Sequence, residues 1–186
     1  VVCDPTFLFN KSEWLNYFKD KRIIKDKYIY CYFLGNNPEQ REFVKRLKKS
    51  TGYKIVSLLH VDEYIKSDND FPDYAPYDIG PEEFVNLIRH AEYVVTDSFH
   101  GTVFSVINGK KFFTFKRFKE TATLSTNSRM DSLFNLLNLH ERFITADMNV
   151  DDVLSLDINY DMVWDRIETY REKSYEYLRK ALKAGK

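Results

Sequence analysis

Seven consecutive residues, Thr96-Asp97-Ser98-Phe99-His100-Gly101-Thr102, gather a carboxylate, three hydroxyls, an imidazole and a glycine. They follow the short apolar run Tyr93–Thr96 and precede the apolar run Val103–Ile107. A strand that leaves a core and turns at once into a helix aims free N–H groups and the positive end of the helix dipole at one spot, which favours an anion. There Gly101 would admit a ligand close to the backbone, and Ser98 and Thr102 would add hydroxyl donors. His100 would donate a hydrogen bond or exchange a proton near neutral pH. Asp97 would cap the turn or orient His100. The same residue types also suit a capped helix start with a satisfied histidine. Spacing does not choose between the two.

The elements around this turn alternate. Tyr28–Leu34 is a continuous apolar and aromatic run, as expected of a strand buried on both faces. Pro38 then opens a helix with Asn37 as N-cap and Gly52 as stop, and Phe43, Val44 and Leu47 form its apolar face. Lys54–Leu59 reads as the next strand, and 60–80 as a long loop. A helix opens at Gly80-Pro81-Glu82-Glu83, with Phe84, Leu87, Ile88 and Ala91 at helical spacing. Lys110–Phe115 is a further strand, and 116–128 a second polar loop. Arg129–Asn138 is predicted as a helix with Met130, Leu133 and Leu137 inward. The last helix spans about Asp161–Lys183, with Val163, Ile167, Tyr170 and Tyr177/Leu178 inward.

This alternation predicts an α/β, Rossmann-like three-layer domain with a mostly parallel sheet. Residues 1–186 form one domain in this reading, with 160–186 as a C-terminal helix. Ligands of such sheets sit beyond the carboxyl ends of the strands. The loops after Leu34, Leu59, Thr96 and Phe115 are therefore expected along one edge.

Bulk properties narrow the function class. Lys+Arg and Asp+Glu total 28 each, and this neutral balance argues against a dedicated nucleic-acid binder. No apolar run approaches the roughly 20 residues that cross a bilayer, and no signal peptide is visible. Cys3 and Cys31 both lie in apolar stretches and read as buried thiols. The four histidines lack ligand spacing, so neither a metal nor a cofactor is expected. The expected location is cytoplasmic, free or peripheral at the inner face of the membrane. Val1 is not an initiator methionine, and Val1–Cys3 reads as a strand end before the turn Asp4-Pro5. The chain is thus expected to be a fragment of a larger protein.

The segment VVTDSFHGTVFSVINGKKFFTF at 94–115 resembles the signature of the polysaccharide pyruvyl transferase family. IGPEEFVNLIRHA at 79–91 is similar to the family's helix just upstream, and Asp4-Pro5-Thr6 resembles its D-P-T segment. Arg129–Leu139 resembles its later Arg-initiated helix. The resemblance implies the C-terminal, donor-binding half of a two-domain fold like the GT-B glycosyltransferases, with the N-terminal domain missing from the chain. It further implies pyruvyl transfer from phosphoenolpyruvate to the hydroxyls of a glycan or lipid-linked sugar, as in exopolysaccharide biosynthesis, with the fragment alone inactive if the acceptor site needs the missing half.

By that resemblance His100 is the catalytic candidate, as acid/base or as a stabiliser of departing phosphate. Ser98, Gly101 and Thr102 would cradle the phosphate, and Asp97 would orient His100. Arg129, and after it Arg117 in the cluster Lys116-Arg117-Phe118-Lys119, would bind the anion. Glu83 has a claim to the site, although two acids in a helix's first turn are already explained by the dipole. Tyr74 and Tyr77 in the long loop would stack on a sugar or simply be exposed. Two other readings are a nucleotide-sugar glycosyltransferase donor domain, needing a ribose-binding carboxylate for which Glu63 is the candidate, and a non-catalytic anion-binding module.

Overall fold

A computed structural model describes residues 2–117 and 127–184. Four strands, β1 (Tyr28–Tyr32), β2 (Lys54–Ser57), β3 (Tyr93–Thr96) and β4 (Lys111–Thr114), form a sheet in the order β2-β1-β3-β4. Every pairing is parallel, with Cys31 beside Ser57 and Val95, and Val95 beside Phe113. The expected α/β parallel sheet is thus present, and three strands end one or two residues before their apolar runs do.

Each parallel pair needs a helical crossover. The helices are α1 (Lys11–Tyr17), α2 (Pro38–Thr51), α3 (Pro81–His90), α4 (Phe99–Ile107), α5 (Asn127–Leu137), α6 (Val150–Ser155) and α7 (Tyr160–Ala184). Successive strand residues point to opposite faces, and the core divides accordingly. Tyr28, Tyr30, Val94 and Phe112 pack with residues of α3, α4, α5 and α7. Ile29, Cys31, Ile55, Val95 and Phe113 pack with residues of α2 and α6. Three layers result, with a ring-rich core: Phe134 meets Phe143 at 4.4 Å, and Tyr93 stacks on Phe113 at 6.2 Å.

Both outer strands are covered. The Asp73 and Tyr74 N–H groups donate to the Ile55 carbonyl, and Ser57 N–H donates to Tyr74. On the other side Ile144 N–H donates to Thr114. One bridge on each rim, Val56 beside Tyr74 and Thr114 beside Phe143, shortens the ladder open to another chain.

The caps follow from the sequence. Asn37 accepts from Glu39 N–H at 2.9 Å, and Gly52 ends α2 at φ 73°. Asn10 and Glu13 close a reciprocal capping box on α1, which the apolar pattern had not indicated because α1 buries no residue fully.

Two expectations need correction. Val2 and Cys3 are not in a strand; Cys3 N–H donates to Ser174 Oγ at 2.9 Å, so this segment is held by α7. On α7 Tyr170 packs on the core as expected, but the buried residues beyond it are Arg171 and Ser174, and Tyr177 is exposed. The N-terminal segment presents carbonyls there, and Arg171 and Tyr175 donate to those of Phe7 and Leu8. A polar seam replaces the expected apolar one. Cys3 and Cys31 are buried free thiols, and burial pushes the Cys31 thiol up.

Candidate functional site

In the strand order β2-β1-β3-β4 the chain leaves β1 towards one side of the sheet and β3 towards the other, so the topological switch point lies between β1 and β3. The loops after these strands are tied together by Asp97. Its buried carboxylate accepts from Leu34 N–H at 2.7 Å and Gly35 N–H at 2.9 Å. Burial raises its pKa, while those two N–H groups and the nearby Arg117 guanidinium hold the rise back. Asp97 therefore fastens the β1 loop; it neither caps α4 nor orients His100. Asp97→Asn is expected to destabilise the fold by about 1–3 kcal/mol in chemical denaturation, because an amide turns its own N–H groups on one of two buried donors.

Three of the small residues also do something other than expected. Ser98 is the N-cap of α4: its Oγ accepts from Gly101 N–H at 3.4 Å. Thr102 is fully buried, and its hydroxyl donates to the Ser98 carbonyl and meets Thr114 Oγ1, each at 3.0 Å. A Cβ on Gly101 would lie 2.6 Å from Thr96 Oγ1, so this glycine lets α4 pack on β3 and leaves no opening towards a ligand. Ser98, Gly101 and Thr102 thus each bond or pack within the turn. Of the first-turn N–H groups, those of Phe99 and His100 make no hydrogen bond within the described residues.

The charged candidates come together one layer further out. Arg129, at the start of α5, and His100, at the start of α4, both face Asp4. Arg129 Nη2 donates to Asp4 Oδ2 at 3.3 Å, and His100 Nε2 lies 3.9 Å from Asp4 Oδ1. The Asp4 carboxylate is itself fixed, since it caps the following turn and accepts from Thr6 N–H at 3.1 Å. The Arg129 guanidinium lies over the Phe99 ring, 4.3 Å from its centre. His100 and Arg129 keep about half of their side-chain surface exposed. A groove of about 360 Å³ opens here, lined by Asp4, Phe7, Phe99, Arg129, Leu133 and Tyr170 among others.

Arg117 lies on the other side of Phe99. It shares a cleft with Asp97, Lys116 and Met130, and a Cβ on Gly35 would meet its Cγ at 3.2 Å. The cleft, of about 20 Å³, is water-sized. Residues 118–126, which include the remainder of the Lys/Arg cluster, lie outside the described residues.

Glu83 is accounted for locally. Its Oε2 accepts from Gly80 N–H at 3.1 Å, a one-way cap of α3, since glycine has no side chain to return the bond. Glu83→Ala is expected to cost about 1 kcal/mol of stability, measured by denaturant unfolding, and to leave anion binding unchanged. Tyr74 is also structural, its hydroxyl donating to Asp26 at 2.6 Å.

The residue pattern did not single out Asp4, which was visible only through the D-P-T resemblance, or a second polar group. The Arg41 side chain, almost fully buried, donates from Nε and Nη2 to Asp68 Oδ1, each at 2.8 Å, and from Nη1 to the Gly35 carbonyl. Asp68 also meets His60 Nδ1 at 3.0 Å. Among the described residues no cluster of His, Cys, Asp or Glu could hold a metal ion, and no helix is long and apolar enough to cross a membrane.

Comparison with known proteins gives consistent results. The chain matches the structure of a glycotransferase of kitacinnamycin with a TM-score of 0.51 and 11% identity, covering 84% of this chain and 41% of that one. It matches a UDP-GlcNAc 2-epimerase from Neisseria meningitidis, bound to UDP-GlcNAc, with a TM-score of 0.47 and 12% identity over 88% of this chain and 42% of that one. The chain thus spans about two-fifths of these proteins' length, and the likeness to the first is one of fold, a Rossmann-like α/β sheet. No curated protein sequence matches it. The polysaccharide pyruvyl transferase family matches residues 1–117, which include the whole sheet, the Asp97 turn and Asp4. The chain belongs to the polysaccharide pyruvyl transferase family.

Proposed function

We propose that the chain is the C-terminal, donor-binding half of a pyruvyl transferase that uses phosphoenolpyruvate, with His100 and Arg129 as the groups that take the donor. The observation that carries this reading is the convergence of these two side chains, from different helices, on the Asp4 carboxylate, beside a groove that Asp4 and Arg129 line. Phosphoenolpyruvate carries a phosphate and a carboxylate close together. A guanidinium fork suits one and an imidazole with nearby helix N–H groups suits the other.

In the proposed reaction one sugar hydroxyl oxygen bonds to the central carbon of phosphoenolpyruvate. Its proton is lost to a base, and a proton is added to the methylene carbon, which becomes a methyl group. A second hydroxyl oxygen then replaces the phosphate at the same carbon and its proton leaves with the phosphate, closing the cyclic ketal and releasing inorganic phosphate. His100 is placed to exchange a proton with the donor or to hydrogen-bond the departing phosphate. The acceptor is a glycan or lipid-linked sugar, and the rest of its site belongs to an N-terminal domain outside this chain. Cytoplasmic action, free or at the inner face of the membrane, is part of the same proposal.

Phosphoenolpyruvate is expected to raise the melting temperature of the chain, and His100→Ala to reduce that shift. A shift with nucleotide sugars and none with millimolar phosphoenolpyruvate would favour a glycosyltransferase donor domain instead.

A further inference from the structure

α1 buries no residue fully. It presents instead a strip of rings: Phe9 lies 5.4 Å from Trp14, Trp14 5.6 Å from Phe18, and Tyr17 5.0 Å from Phe18. Trp14 also meets Phe104 of α4 at 5.1 Å, so the strip is anchored from below. Its outer side faces water, with Phe9 40%, Leu15 36% and Tyr17 69% exposed. Neighbouring apolar side chains left open in this way mark a contact with something outside the chain more than a step in folding.

Charge narrows what that contact is. Over the whole sequence Lys+Arg and Asp+Glu are equal, yet residues 11–27 carry six basic residues against three acids. Lys11, Lys19, Lys21, Arg22, Lys25 and Lys27 are all exposed. The three acids are engaged locally: Glu13 caps α1, Asp20 meets His90 at 2.8 Å, and Asp26 accepts from the Tyr74 hydroxyl. Among the described residues Lys11, Lys19, Lys21 and Lys25 enter no ion pair. Tryptophan and tyrosine favour the boundary between lipid headgroups and water, and lysines beside them are drawn to acidic headgroups. Rings and unpaired lysines on one short stretch of chain match that boundary in both respects.

We propose that α1 and the segment 18–27 after it form a docking surface for an anionic lipid bilayer, with Phe9, Leu15 and Tyr17 entering the headgroup layer and Lys19, Lys21 and Lys25 meeting the lipid phosphates. The surface is tied to the donor groove. The Trp14 indole donates to the Thr6 carbonyl at 3.1 Å, in the turn Pro5–Leu8 that Asp4 caps. Docking here holds the groove near the bilayer, where the sugar of a lipid-linked acceptor lies. That consequence rests on the pyruvyl-transferase reading, whereas the docking itself does not.

The test is co-sedimentation of the chain with vesicles of phosphatidylcholine, alone or mixed in equal parts with phosphatidylglycerol, beside a phosphoenolpyruvate titration by calorimetry. Binding to the mixed vesicles is expected to be at least about tenfold tighter than to phosphatidylcholine alone, and to weaken as salt is added. The paired change Lys19→Glu with Lys21→Glu is expected to weaken it about tenfold or more, and Tyr17→Ser about threefold or more. Both variants alter exposed side chains, so their melting temperatures and phosphoenolpyruvate affinities are expected to match wild type. Absence of sedimentation with the mixed vesicles, equal binding to both kinds, or binding indifferent to these variants would overturn the proposal. Binding of polyglutamate but not of vesicles would point to an acidic protein partner and overturn it too. Vesicle binding without phosphoenolpyruvate binding would uphold the surface and sink the donor assignment alone.

Discussion

Replacing Arg129 by alanine is expected to weaken phosphoenolpyruvate binding roughly tenfold to a hundredfold, read by isothermal titration calorimetry. A hydrogen bond to a charged group contributes about 1.5–3 kcal/mol, and each 1.4 kcal/mol is about a factor of ten. The loss is expected to be specific. Arg129 is half exposed, bonded to Asp4 and laid over the Phe99 ring, so its removal leaves the core intact. Stability is expected to change by no more than about 0.5 kcal/mol beyond the lost stacking. Arg129→Lys keeps the charge but not the fork and is expected to bind with intermediate affinity. Equal affinity in wild type and Arg129→Ala would remove this residue from the donor site.

The second large effect concerns Gly101. In an ordinary helix interior, glycine to alanine stabilises by about 0.5–1 kcal/mol. Here the new methyl would lie 2.6 Å from Thr96 Oγ1 and 3.2 Å from Thr96 Cβ and Cγ2. Neither partner can yield easily. Thr96 sits in β3 and donates to the Tyr32 carbonyl at 2.5 Å, while α4 is buried from Gly101 to Ile107. Gly101→Ala is therefore expected to destabilise by about 1–3 kcal/mol in urea unfolding, the usual penalty of overpacking. The sign decides the matter: a stabilised variant would mean that α4 does not rest on β3 this closely.

The sheet was legible because short apolar runs rich in β-branched and aromatic residues, bounded by turn signals, suit strands buried on both faces. Tyr93–Thr96 was read to the residue, and Tyr28–Leu34 differed only at its end, where Phe33 turns into the core and the Leu34 N–H meets Asp97. The cap at Asn37 and the stop at Gly52 were legible for a local reason, since each depends on its own helix alone. The tail of α7 was misread because Arg171 and Ser174 are buried by bonds to backbone groups more than 160 residues away, the Phe7 carbonyl and the Cys3 N–H, which helical spacing does not encode.

The site divides in the same way. Its place at the carboxyl edge followed from topology, and His100 and Arg129 were both named from the sequence by resemblance. The contacts of Ser98, Gly101 and Thr102 within the turn were not legible, because hydroxyls and glycines serve equally to hold a ligand or to seat a helix on a strand. Only the depth of each atom separates these uses. The Arg41–Asp68–His60 group was invisible, since its members come from a helix and a loop and carry no shared spacing. Asp4 was legible only as part of a family segment; that its carboxylate stands between His100 and Arg129 needed the fold.

The most direct test is a crystal structure of this chain soaked with phosphoenolpyruvate. The account predicts density in the groove beside Phe99, with one anionic group on the Arg129 guanidinium and the other within reach of His100 and the first turn of α4. Density elsewhere on the carboxyl edge, or a groove still empty at saturating ligand with His100 and Arg129 still turned to Asp4, would contradict it.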